Sequence, residues 1–130
     1  MLASCGPRAD FFGKWDGHRA MAPRPGVPSY VLFSASQVLL YIYPSGRFDL
    51  KDLSVPKSGT IAVDGMHAVL TVTKIANIDV NEQSEATKAN IGPIYLDMQP
   101  DGSIRYRDPK AMDASEVKLL RVATGVKDRP

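Results

Sequence analysis

The chain has 130 residues, 44% hydrophobic and 23% charged, with a mean hydropathy of −0.16. That length builds one domain core rather than two, and the composition is that of a soluble globular protein, not of a disordered chain. Sixteen Lys and Arg against 14 Asp and Glu give a net charge of +2 without runs of like charge, so neither a nucleic-acid footprint nor a polybasic membrane patch is present. No stretch approaches the roughly 18 apolar residues of a membrane helix.

The single cysteine, Cys5, excludes an internal disulfide and a Cys-rich metal site. Its context, Leu2-Ala3-Ser4-Cys5-Gly6, resembles the lipobox of bacterial lipoproteins, in which the cysteine becomes the lipidated first residue. Only four residues precede it, fewer than the basic start and apolar run of a signal peptide. Two readings follow: an exported lipoprotein whose leader is missing from this chain, or an exposed thiol near a frayed end. Residues 1–10 are read as an N-terminal tether, 11–124 as the domain, and 125–130 as a frayed C-terminus.

A first strand is predicted around residues 12–19. Residues 20–36 carry Pro23, Pro25, Gly26 and Pro28 and are predicted to form a long loop, with no ladder bonds before about Tyr30. Three hairpins follow, each marked by a turn glycine. Pro44-Ser45-Gly46 separates residues 38–43 from 47–53, where Phe48 and Leu50 alternate with Arg47, Asp49 and Lys51. Asp64-Gly65 separates Ile61 and Val63 from Ala68, Leu70 and Val72. Pro100-Asp101-Gly102 separates Ile94, Leu96 and Met98 from Ile104 and Tyr106. Asp79 to Glu82 has capping-box spacing, so residues 79–90 are read as a short surface helix or a loop. Residues 117–122 are predicted as the closing strand, with a terminal helix as the alternative.

The sum is all-β, about eight antiparallel strands joined mostly to their sequence neighbours, with at most one short helix. Closure into a single up-and-down barrel removes the exposed edges; a flatter sandwich is the alternative.

Gly13-Lys14-Trp15 at the start of the first strand resembles the Gly-x-Trp signature of lipocalin-like, calycin-type barrels. The short strands and Asp-Gly turns that follow are similar to those of small bacterial lipocalin-like lipoproteins. The resemblance implies that Trp15 closes one end of the barrel and that Arg121, on the last strand, lies across it. It also implies either a small apolar ligand inside the barrel, lined by Trp15, Phe48, Leu70, Leu96, Tyr106 and Arg121, or a filled barrel working through protein contacts.

Catalytic chemistry finds little support. Cys5 would need His18 or His67 as a base, and the two histidines have no metal-ligand spacing. The carboxylate pairs Asp49 with Asp52 and Asp97 with Asp101 have strand and turn explanations, and no phosphate-binding glycine loop occurs. Arg105 and Arg107 project from one strand face and Arg47 from another, as candidate contacts for an acidic partner or lipid headgroup. The expectation is a non-enzymatic protein with no catalytic residue, metal or cofactor. It is exported to the bacterial cell envelope, anchored to the membrane only through Cys5, and carries a small apolar ligand. The alternative is a filled barrel acting as a protein-interaction module in the envelope. No nucleic acid is expected as a partner.

Overall fold

Every run of period-two alternation forms a strand in the computed structural model, which describes residues 10–20, 24–52, 55–110 and 116–124. In chain order these are β1 (Gly13–His18), β2 (Gln37–Ile42), β3 (Arg47–Asp52), β4 (Val55–Asp64), β5 (His67–Ile75), β6 (Ile78–Asp79), β7 (Ile94–Met98), β8 (Ile104–Arg107) and β9 (Val117–Ala123). All pairings are antiparallel. The hydrogen-bonded order runs β4-β3-β2-β1-β9-β8-β7-β5, and β4 pairs with β5 to close it. Eight strands therefore form a closed barrel, while the two-residue β6 pairs only with the end of β5. The expected barrel, not the sandwich, is the architecture.

One side of each strand supplies the core. Trp15 of β1, Val38, Leu40 and Ile42 of β2, Phe48 and Leu50 of β3, Leu70 of β5, Leu96 of β7, Ile104 and Tyr106 of β8, and Leu119 of β9 are all buried. Burial of apolar surface at about 25 cal/mol per Å² is the main force holding such a barrel together. The turn glycines Gly46, Gly65 and Gly102 take φ values of 89°, 63° and 85°, which side-chain-bearing residues rarely adopt. Gly13 is required for a second reason: a Cβ there would lie 2.5 Å from the Ala123 carbonyl oxygen.

The three hairpin turns and the start of β1 lie at one end of the barrel, the closed end. The opposite, open end carries the β1–β2, β3–β4, β5–β7 and β8–β9 connections. Two of these differ in detail from the sequence expectation. The proline-rich segment contains a helix, α1 (Ser29–Ala35), starting directly after Pro28. Residues 79–90 form a 3-10 turn (Val80–Glu82) and a four-residue helix, α2 (Glu85–Lys88), rather than one helix. Asp79 accepts from the Asn81 N–H and Ser84 from the Thr87 N–H, so each short piece has its own cap. Residues 117–123 are strand, because Val117 and Leu119 are buried on one face while Lys118 and Leu120 point outward. Cys5, most of the tether and residues 125–130 lie outside the described residues.

Candidate functional site

The interior residues singled out as ligand contacts meet in one cluster. Trp15, Leu70, Leu96 and Tyr106 are 0% exposed and Phe48 is 1% exposed. A void able to admit a ligand would give its lining side chains accessible surface, and these have none. The crevice closest to the interior, lined by Lys57, Val72, Ile91 and Asp108 at the open end, is too narrow for a water molecule.

Trp15 closes one end in the manner the resemblance implies. Its indole N–H donates to the Phe11 carbonyl at 2.9 Å, and the Arg121 guanidinium lies over its ring, 4.5 Å from the centroid. Arg121 follows the inward parity of Val117 and Leu119 but reaches the rim, where its Nη2 donates to the Asp10 carbonyl. It thus belongs to the end cap and does not line an interior site.

The open end is sealed by charge. Arg19 donates from Nε to Asp52 Oδ1 at 2.8 Å and from Nη2 to Asp52 Oδ2 at 2.7 Å, and the Tyr106 hydroxyl donates to the same Oδ2 at 2.9 Å. Arg19 and Asp52 are 3% and 5% exposed, so the pair is a buried bidentate bridge. Burial, then the neighbouring Asp52 charge, pushes the Tyr106 phenol far above its usual range, so it stays a donor. Beside it Asp108, 2% exposed, pairs with Lys57 at 3.5 Å. The sequence alone does not bring this cluster together; along the chain Asp52 stands only beside Asp49. Those two carboxylates point to opposite faces: Asp49 accepts from the Tyr43 hydroxyl at 2.7 Å on the outside. The signal was present, since the parity of Phe48 and Leu50 puts Asp52 inside.

The outer face of β8 and β9 carries a groove of about 510 Å³ lined by Gln99, Asp101, Arg105, Glu116 and Lys118 among others. Arg105 pairs with Glu116 at 3.0 Å, and Lys118 pairs with Asp101 at 3.1 Å. Asp101 accepts from the Ser103 hydroxyl and N–H, and these bonds, with the Lys118 ammonium, hold its carboxyl down at about 2. Arg107 shares this outward parity and stacks over Tyr95, 5.0 Å from the centroid. Arg47 is not brought to this face; it sits on β3 opposite Thr60.

Of the candidate catalytic groups, His67 is exposed and pairs across strands with Asp97 at 2.5 Å. His18 stacks on Phe33 at 3.8 Å on the other end of the barrel. Among the described residues no three His, Cys, Asp or Glu side chains are grouped to hold a metal ion. No helix among the described residues is long and apolar enough to cross a membrane. Compared with known proteins, the chain matches no family model, no curated protein and no solved structure.

Proposed function

We propose that this protein is a filled, lipocalin-like barrel that works as a protein-interaction module of the bacterial cell envelope, tethered through a lipid on Cys5. The observation that carries this reading is the interior itself: Trp15, Leu70, Leu96 and Tyr106 belong to one buried cluster without accessible surface, and a buried ion pair occupies the open end. A carrier of a small apolar molecule would have to open that packing and strip Asp52 from Arg19 before a ligand could enter. The lipobox-like Leu2-Ala3-Ser4-Cys5 supports the anchor, and the pair Gly13-x-Trp15 with Arg121 across the indole supports the lipocalin-like relationship.

The partner-facing surface in this reading is the β8–β9 groove. Arg105 and Lys118 are each more than half exposed despite their partners Glu116 and Asp101. Exposed ion pairs of this kind contribute little to stability and exchange readily for those of an incoming acidic chain. The test is native mass spectrometry of gently purified protein together with crosslinking in envelope preparations. We expect a native mass equal to the denatured mass, any covalent lipid on Cys5 included, and a specific crosslinked protein that is lost with Arg105→Glu/Arg107→Glu. A discrete small-molecule adduct, or equal crosslinking by the double variant, overturns the proposal.

A further inference from the structure

We propose that the α1 side of the open end docks on an anionic lipid surface. This goes beyond the interaction-module reading and does not depend on it. Helix α1 is short and lacks the usual supports: no side chain caps its N-terminus, no acidic residue lies in its first turn, and none of its residues is buried. Among the described residues, its hydrogen bonds and ring contact to the barrel are made at its C-terminal end. There the Ser36 hydroxyl donates to the Phe33 carbonyl at 2.7 Å, the Arg19 N–H donates to the Ser36 carbonyl at 2.9 Å, and the His18 ring stacks on Phe33. The front of the helix and its lead-in project Val27, Tyr30, Val31 and Phe33 at 37%, 74%, 42% and 62% exposure. A hollow of about 410 Å³ between α1 and the rim is lined by Val27, Leu32, Phe33 and His18 among others.

Charge decides what covers this patch. From Gly17 to Phe48 the sequence carries no Asp or Glu, although the chain has 14. Of the arginines in that stretch Arg19 is buried against Asp52 and Arg47 lies at the closed end, while Arg24 is exposed ahead of α1. The Asp52 carboxylate that comes near this rim is buried against Arg19, and Asp16, lower on β1, accepts from Gln37. Among the described residues of the open end, Asp79, Glu82 and Glu85 lie in the β5–β7 connection, opposite the β1–β2 connection that holds α1, while in the β8–β9 connection Asp108 is buried against Lys57 and Glu116 is paired with Arg105. The β1–β2 connection thus offers exposed aromatic and aliphatic side chains, an exposed arginine and no carboxylate of its own. That is the chemistry that settles at a headgroup boundary: aromatic rings favour the interface, cations are attracted by anionic lipids, and carboxylates are repelled.

The chain's single tryptophan, Trp15, is 0% exposed at the closed end, so it reports the integrity of the fold and is silent to events at α1. Tyr30→Trp places a second indole at the docking tip. We expect its emission to move to shorter wavelength with vesicles of mixed phosphatidylcholine and phosphatidylglycerol, and not with phosphatidylcholine alone. The affinity of the full chain for the mixed vesicles in co-sedimentation should fall about a hundredfold with Tyr30→Asp/Val31→Asp, since each lost apolar anchor is worth about tenfold. Circular dichroism and Trp15 emission should stay unchanged. The proposal is overturned by no shift with either vesicle, by equal binding to both, or by a vesicle-independent shift that grows with protein concentration, which would make a second copy the occupant. None of these results bears on the small-molecule adduct or the crosslink that test the interaction-module reading.

Discussion

Arg19 and Asp52 stand 33 residues apart and meet inside the barrel in a two-bond bridge, at 2.8 and 2.7 Å, with both side chains buried. Each charge depends on the other, because a lone ion in this setting has no water to replace its partner. Asp52→Ala should cost about 3–5 kcal/mol by removing the carboxylate that the buried Arg19 guanidinium faces, while Arg19→Met/Asp52→Leu should return close to the native stability. Urea unfolding of the two variants beside the parent checks this; a mild effect of Asp52→Ala would mean that water reaches the pair.

Tyr106 should remain a phenol until the barrel opens. Its native ionisation lies above that of an unfolded tyrosine, so the stabilisation it provides is complete below about pH 10 and is lost as the pH rises further. Tyrosinate absorbance in an alkaline titration should therefore show one group appearing only with unfolding, and Tyr106→Phe should remove that group from the unfolding step.

Asp101 should show the opposite sign. Its carboxyl is lowered from 3.8 to about 2, first by the Ser103 hydroxyl, then by the Ser103 N–H and by Lys118. The β7–β8 turn keeps that support above about pH 4 and loses it as the pH falls toward 2. Carboxyl-resolved NMR titration should place Asp101 near 2, and Ser103→Ala should move it upward toward its ordinary value.

At the closed end, Arg121→Ala should remove the cation above Trp15 and its bond to the Asp10 carbonyl. A cation–π contact of this kind is worth about 0.5–2 kcal/mol, so the variant should fold but melt lower and show altered tryptophan emission. Unchanged emission would separate Arg121 from the end cap.

Much of this architecture is legible in the sequence, for local reasons. Gly46, Gly65 and Gly102 each mark a hairpin with a conformation that depends on one residue, and the parity of Phe48 with Leu50, or of Ala68 with Leu70, tells which side chains face the core. The end cap of Trp15 and Arg121 is legible only through the resemblance of Gly13-x-Trp15 to the lipocalin-like signature. What is not legible depends on register between distant strands. Arg19, Asp52 and Tyr106 come together only once β1, β3 and β8 are placed around one barrel, and no spacing in the chain encodes that meeting. Helix α1 is hidden differently, because three prolines precede it and its stop, at Ser36, is set by a contact with β1.

Leu70 offers the sharpest test of whether the barrel is filled. It is 0% exposed, opposite Ile61 of β4 on one side and Ile94 of β7 on the other. In a carrier, Leu70→Trp would narrow a pocket, weakening ligand binding while leaving the fold intact. In a filled barrel the larger ring has nowhere to go and must push β4 or β7 aside, at a cost of about 1–3 kcal/mol. We therefore expect Leu70→Trp to lower Tm and the unfolding midpoint in urea, with native mass spectra of the unaltered protein showing no non-covalent adduct. A variant as stable as the parent, together with an adduct on the parent that the variant lacks, would mean that the space around Leu70 opens in solution and would return the carrier reading to first place.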